Sequence, residues 1–165
     1  MPTYEVIHRC DLTNEQRDAL AAAITEIHAQ LFTVSKIFVN VWFRHWHEGG
    51  RYVGGQPECN NCIRAFVRGG PARSREQYVE LVKQVRAAWY KVVPSTPDKE
   101  TFLHVINVMD SIAAGMEFDF WTPPAGGDVE WFQENWKELT EKAKDFPQIR
   151  RLVDEVRDRG LAPKL

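Results

Sequence analysis

Two helix starts with the same chemistry lie 61 residues apart, and this repeat constrains the fold more than any other feature of the chain. Thr13 to Gln16 and Ser74 to Gln77 each place a hydroxyl at a helix N-cap and a glutamine three residues later, as in a capping box. Apolar residues then recur at helical spacing, first as Leu20, Ile24, Ile27 and Leu31, and later as Tyr78, Leu81, Val82, Val85, Ala88, Trp89 and Val92. The sequence therefore predicts two equivalent helices.

Short runs of branched and aromatic residues flank each predicted helix and favour strands. Two runs precede the helices, at Thr3 to Ile7 and Ile63 to Val67, and two follow them, at Ile37 to Phe43 and Phe102 to Val108. The order β-α-β, linker, β-α-β predicts an α+β fold. We expect two β-α-β repeats to form one four-stranded sheet, with both helices on one face and right-handed crossovers.

The remaining segments extend this domain without adding a second one. The linker from Arg44 to Cys62 contains glycine pairs, which predict turns and a small hairpin through Tyr52-Val53. We place the double β-α-β domain at residues 1–128 and a helical extension of it at 129–165, with a break at Pro147. The apolar residues of the extension must be buried either against the domain or against a neighbouring subunit, and we favour the neighbouring subunit.

Composition excludes several function classes. The 165 residues are 44% hydrophobic and 27% charged, which is typical of a globular domain rather than a disordered chain. A formal net charge of -2 gives no reason to expect a nucleic acid or an anionic lipid as partner. No apolar run is long enough to cross a membrane, and the first residues do not have the pattern of a signal peptide, so we expect a cytoplasmic protein.

Met1-Pro2 is the first feature of the sequence that suggests a catalytic group. Removal of Met1 would leave Pro2 with a free secondary amine at the start of a strand. An α-amino group has a pKa of roughly 7.7–8.0, which burial would lower and a nearby carboxylate would raise. In either case Pro2 would be able to carry a proton near neutral pH.

A proline-initiated double β-α-β chain resembles the tautomerase superfamily, and above all its cis-3-chloroacrylic acid dehalogenase group. The similarity covers Pro2 to about Phe132. It rests on these motifs: Pro2, Ile24-Thr25-Glu26-Ile27-His28, Gly54-Gly55, Arg73-Ser74, Met116-Glu117-Phe118, Pro123 and Glu130-Trp131-Phe132.

The resemblance implies a homotrimeric, cofactor-free enzyme acting on a small carboxylate or dicarbonyl substrate. It implies that Pro2 is the catalytic acid or base, that His28 and Arg73 hold the substrate carboxylate, and that Glu117 activates water or assists proton transfer. Where the dehalogenases have a further arginine and a tyrosine that activates water, this chain has Gly70 and Ile106. These departures disfavour water addition, so keto-enol tautomerisation is our first expectation, and hydration or hydrolytic dehalogenation the alternative.

A second arginine is available for the substrate. If residues 63–68 form one strand, Arg64, Phe66 and Arg68 lie on the same face because side chains alternate. Arg68 would then replace the missing arginine, since a guanidinium donates two parallel hydrogen bonds to a carboxylate. The competing interpretation is that Arg64 and Arg68 are solvated surface charges.

Histidines and cysteines in the linker suggest a different class of function. His45, His47, Cys59 and Cys62 include a Cys-x-x-Cys pair and could form a tetrahedral zinc site. The spacing of the histidines is not that of a structural zinc finger, and turns explain the neighbouring glycines and asparagines, so we assign no metal. If zinc were present, the chain would instead be a non-catalytic trimeric binding protein.

Overall fold

A computed structural model describes residues 1–46, 51–97 and 99–163 of the chain. The strands are β1 (Thr3–His8), β2 (Asn40–His45), β3 (Tyr52–Val53), β4 (Gln56–Pro57), β5 (Asn61–Phe66), β6 (Leu103–Met109), β7 (Met116–Glu117) and β8 (Phe120–Trp121). The helices are α1 (Asn14–Phe32), α2 (Arg75–Val92), α3 (Asp128–Lys142) and α4 (Pro147–Asp158), with a short 3₁₀ helix at Lys36–Phe38.

Four strands form one mixed sheet in the order β2-β1-β5-β6. β1 pairs in parallel with β2, β5 pairs in parallel with β6, and the two β-α-β units meet through the antiparallel pair β1 and β5. Val6 faces Ile63 at this central pair. The predicted α+β fold with two β-α-β units in one sheet is confirmed.

Both predicted capping boxes are present. The hydroxyls of Thr13 and Ser74 accept hydrogen bonds from the backbone N–H groups of Gln16 and Gln77, and each glutamine side chain bonds back to its cap. Apolar residues of α1, α2 and the sheet share one core, which includes Tyr4, Val6, Leu20, Ile24, Ile63, Leu81, Val85 and Trp89. The capped helices therefore bury their apolar stripes against the same face of the sheet.

β2 begins later than its sequence predicts. Residues 36–38 form a 3₁₀ turn instead of strand, and the strand begins at Asn40. The backbone N–H of Lys36 and the hydroxyl of Ser35 both donate to the Glu155 carboxylate of α4. This contact turns the chain so that Phe38 is buried beneath the C-terminal helices rather than in the sheet.

The C-terminal helices cover a second core within the same chain. Pro147 occupies the first turn of α4, so the helix break falls where its sequence predicts. Residues of α3 and α4 pack with Phe38 and Phe120 in a cluster that includes Trp131, Phe132, Leu139, Ile149, Leu152, Val153 and Val156. The expectation that a neighbouring subunit covers them is wrong, because residues of this chain bury them.

Two smaller features complete the described chain. β3 and β4 form the hairpin expected at Tyr52-Val53, and its turn consists of Gly54 and Gly55, both with positive φ. No helix in the described ranges combines the length and the apolar composition that a membrane span requires.

Candidate active site

The start of β1 lies in a narrow cleft between the sheet and the C-terminal extension. Pro2 is buried, and its carbonyl accepts a hydrogen bond of 3.0 Å from the Asn40 N–H of β2. Met1 is partly buried and lines the cleft together with two charged residues, Arg68 and Glu117. Its other lining residues are Phe38, Phe120, Thr122, Pro123 and Trp131. An amine at the chain start, a carboxyl group and a guanidinium therefore share one mostly apolar space.

The electrostatics of this cleft disfavour a protonated amine. Burial and then the Arg68 charge lower the pKa of the Met1 amino group, and Glu117 opposes them by raising it. Asp128 and Arg73 also act on this amine, the first raising and the second lowering its pKa. The lowering effects dominate, so the pKa of this amine lies below its usual value and the cleft favours the neutral form.

A tight hairpin presents Glu117 to the cleft. Glu117 is the last residue of β7, and the turn that follows is made by Phe118 and Asp119, both at positive φ. Lys142 of α3 secures this turn by donating to the Phe118 carbonyl and to Asp119. Glu117 Oε2 is buried and has no hydrogen-bond partner among the described residues, and burial raises the pKa of the Glu117 carboxyl group. This position keeps a proton-carrying group beside the amine.

Arg68 is buried, so the interpretation of a solvated surface charge is wrong for it, whereas Arg64 is exposed. β5 ends at Phe66, and the Arg68 side chain turns toward the C-terminal extension. Its Nη2 donates to both oxygens of Asp128, at 2.8 and 3.0 Å, and its Nη1 donates to the Pro123 carbonyl at 2.6 Å. Most of the donors of Arg68 are therefore already used within the protein.

Arg73 lies just ahead of the cap of α2 and is also buried. Its Nη1 donates to the Arg68 carbonyl at 2.9 Å, and its guanidinium stacks 4.1 Å from the centre of the Phe32 ring. Its Nη2 is buried and makes no hydrogen bond of good geometry in the described part of the chain, although the Tyr78 hydroxyl, also buried, interacts with the Arg73 side chain. Arg73 and Asp128 both line a neighbouring cavity of about 240 Å³, so Arg73 still has a donor for an anion entering there.

His28 is fully buried in α1 and bonds to a side chain rather than to backbone. Its Nδ1 lies 2.7 Å from the hydroxyl of Tyr4. Burial, followed by the charges of Arg73 and Arg68, lowers the pKa of His28 to about 3, so the imidazole is neutral. The Tyr4 hydroxyl has no other partner in the described part of the chain, so it donates to Nδ1. Nε2 therefore carries the hydrogen, and this buried N–H has no acceptor among the described residues.

The structure brings the five expected residues into one region but not into one cavity. Met1, Arg68 and Glu117 share the cleft at the chain start, and the Arg68–Asp128 pair separates it from the cavity that Arg73 lines. His28 lines neither space, yet the charges of the amino terminus and of Arg73 act on its pKa.

Tyr4 and Asp128 are members of this region that the sequence analysis missed. Tyr4 follows Pro2 by two residues on a strand, so the alternation of side chains was a usable signal for it. No comparable signal existed for Asp128, because it pairs with a residue 60 positions earlier in the chain.

The four linker residues considered for zinc do not form a described site. Cys59 is exposed and Cys62 is buried, and His45 lies beside Asp11 with its Nε2 3.6 Å from the carboxylate. His47 falls outside the described residues. Within residues 1–46, 51–97 and 99–163 no group of three or more histidine, cysteine or acidic side chains is arranged to hold a metal ion.

Comparison with known proteins finds a family that matches most of this chain. The model of the family described as "Putative oxalocrotonate tautomerase enzyme" matches residues 1–136. The comparison with curated proteins gives no match.

Solved structures share the architecture. N1, a member of the cis-3-chloroacrylic acid dehalogenase family, is 25% identical, with a TM-score of 0.66 over 87% of this chain and 99% of that one. A probable enzyme from the thermophilic fungus Aspergillus fumigatus is 22% identical, with a TM-score of 0.58 over 82% and 94% of the two chains. A fused 4-OT asymmetric trimer is 16% identical, with a TM-score of 0.53 over 66% and 85%. The last two likenesses concern the fold alone.

Proposed function

This chain belongs to the oxalocrotonate tautomerase family matched by its residues 1–136, and from that premise we propose that it is a tautomerase whose base is the amine of Pro2. The proposal requires that Met1 be removed, because the nitrogen of an internal proline is an amide without useful basicity. Its substrate is a small molecule that carries a carboxylate or a 1,3-dicarbonyl group.

The reaction moves one proton and needs no other reactant. The neutral Pro2 nitrogen removes a proton from the carbon beside the substrate carbonyl, and the electron pair of that C–H bond forms the enolate. The Glu117 carboxylate then takes that proton from Pro2, directly or through solvent, and gives it to the enolate oxygen, which restores the neutral amine. The positive charge of Arg68, which lines the cleft, stabilises the negative charge of the substrate, and we assign supporting roles to Arg73 from the adjoining cavity and to the Nε2–H of His28.

The shared cleft of the amino terminus, Glu117 and Arg68 is the observation that carries this proposal. Around it, Arg73 Nη2, His28 Nε2 and Glu117 Oε2 are buried and make no hydrogen bond of good geometry in the described part of the chain. Unpaired buried polar atoms cost free energy, and a bound ligand that supplies the missing partner is one way to offset that cost. Arg68 contributes its positive charge to the cleft more than its hydrogen bonds, because Asp128 and Pro123 already accept from it.

The direction of the pKa shift at the chain start supports a base over an acid. Burial and Arg68 lower the pKa of the Met1 amine, and the amine of Pro2 would stand one residue deeper in the same surroundings. Hydration or hydrolytic dehalogenation of an unsaturated acid is the second candidate, favoured by the similarity to N1. It requires an activated water, and Ile106, in the position of the expected tyrosine, packs into the core between helices and sheet.

We also propose a homotrimer. The face of the sheet opposite α1 and α2 carries Glu5, Trp42 and Arg64 side by side, and Trp42 is 58% exposed. An exposed tryptophan on a flat sheet is a common sign of an interface. Fused 4-OT proteins of this fold are described as trimers.

The test begins with the intact mass of the purified chain, which shows whether Met1 is absent. Exchange of the C3 protons of a 2-oxo acid in D₂O, followed by NMR, then measures enolisation directly. We expect Pro2→Ala to lower the rate at least 100-fold and Pro97→Ala, at a distant turn, to leave it unchanged. Equal rates for Pro2→Ala and the unaltered sequence, or a processed chain without exchange, would refute the proposal.

A further inference from the structure

Met1 fills an apolar space that adjoins the proposed base. With Met1 in place, the cleft holds only about 10 Å³ of free space, at most enough for a single water molecule. The Met1 side chain packs against the cluster formed by Phe38, Phe120 and Trp131. Its removal would therefore open a space with the shape of an unbranched apolar chain next to the Pro2 nitrogen.

The walls of this space are rigid. Phe38 and Phe120 meet the indole of Trp131 edge to face, with ring centres 5.7 and 5.6 Å away. The indole N–H of Trp131 donates to the Trp121 carbonyl at 2.7 Å and so fixes the orientation of the ring. Three separate segments supply these rings, namely the 3₁₀ helix, β8 and α3. Such a prebuilt aromatic pocket recognises apolar groups by their size.

We propose that this space is a substrate subsite for an unbranched alkyl chain, so that the preferred substrates are 2-oxo acids with about four carbon atoms beyond the carbonyl. The inference rests on the proposed function, because it places the substrate chain where Met1 lies before processing. The carboxylate of such a substrate lies toward Arg68 and its alkyl chain toward Phe38 and Trp131.

Chain length is the direct test. The processed protein is given pyruvate, 2-oxobutanoate, 2-oxopentanoate and 2-oxohexanoate, and C3 proton exchange in D₂O is followed by NMR. Burial of each methylene is worth about a fourfold gain, so we expect kcat/KM to rise on the order of 50-fold from the first acid to the last. A flat or falling series would overturn the inference.

Binding without chemistry separates this inference from the proposed function. Calorimetry measures the binding affinity of propanoate, butanoate, pentanoate and hexanoate, and it detects the subsite even if no proton is exchanged. A rise in affinity with chain length but no exchange would support the subsite and refute the proposed base. Exchange that depends on Pro2 but not on chain length would support the base and refute the subsite.

Two protein variants localise the effect. Phe38→Leu should lower the ratio of hexanoate to propanoate affinity several-fold, whereas Phe102→Leu, at an exposed position before β6, should leave that ratio unchanged. A chain that keeps Met1 behind an uncleaved N-terminal extension should bind all four acids without preference. If hexanoate still bound more tightly to that chain, the alkyl group would lie elsewhere and the inference would fail.

Discussion

Asp128 accepts both Nη2 hydrogen bonds of Arg68, and this buried ion pair joins the first residue of α3 to the segment that follows β5. The Arg68 carbonyl in turn accepts a hydrogen bond from Arg73. The C-terminal extension therefore fixes the positions of both arginines of the candidate site.

Replacing Asp128 by Asn should destabilise the protein, because it leaves the Arg68 charge buried without a counter-charge. We expect a loss of about 3 kcal/mol in the free energy of unfolding, measured by urea denaturation. Asp119→Asn, which removes an exposed partner of Lys142, is the control and should change the midpoint little. If both variants lost the same stability, the buried pair would have no special role.

The neutral state of His28 predicts a dependence of stability on pH. The folded pKa of about 3 lies below the ordinary value of 6.5, so the unfolded chain binds the proton first. Stability should be complete above pH 6.5 and decrease by up to about 1.4 kcal/mol for each pH unit below it. His28→Gln should remove this part of the slope, as measured by thermal unfolding between pH 4 and 7. An unchanged slope would contradict the burial of a neutral imidazole.

The hydrogen bond between Tyr4 and His28 predicts that a change at Tyr4 affects KM more than kcat. Tyr4→Phe removes the donor that keeps the hydrogen of His28 on Nε2, the N–H to which the proposed function gives a supporting role for the substrate anion. We expect KM to rise several-fold while kcat changes less, because Pro2 and Glu117 stay in place. Tyr90→Phe removes a hydroxyl that contacts the start of β6 and should leave both constants unchanged. Equal effects of the two variants would argue against a role for Tyr4 in orienting His28.

Glu117→Gln should raise stability and lower activity together. Burial raises the pKa of the Glu117 carboxyl group, so the folded state binds its proton more tightly than the unfolded state and stability is lost as pH rises above 4.5. The neutral amide removes this penalty, a gain of about 1 kcal/mol near neutral pH. It also removes the proton carrier, so enolisation should slow at least tenfold. A variant that is both less stable and fully active would contradict this account.

Local signals predicted the scaffold well. The capping boxes at Thr13 and Ser74 and the branched runs around them depend on neighbours within a few residues, and the sheet follows from their order. They could not predict that Phe38 leaves the sheet, since its partners Phe120 and Trp131 are distant in sequence.

The candidate site was predicted in part. Pro2, His28, Arg73 and Glu117 came from the resemblance, and Arg68 came from the alternation of side chains on a predicted strand. The structure places these residues in the region around the start of β1. Their catalytic roles stay predictions. The burial of Arg68 against Asp128 could not be predicted from the sequence, because an isolated arginine does not indicate whether a carboxylate will pair with it in the fold.

The enclosure of Met1 has a consequence for how the chain matures. An aminopeptidase must hold the residue it cleaves in an extended, accessible form, yet Met1 in the finished fold is partly buried against the cluster that contains Phe120 and Trp131. These rings belong to the last third of the chain and leave the ribosome late. The chain start is therefore accessible for excision before the C-terminal helices can pack over it, and a molecule that folds with Met1 retained would keep that side chain in the space proposed for the alkyl group of the substrate.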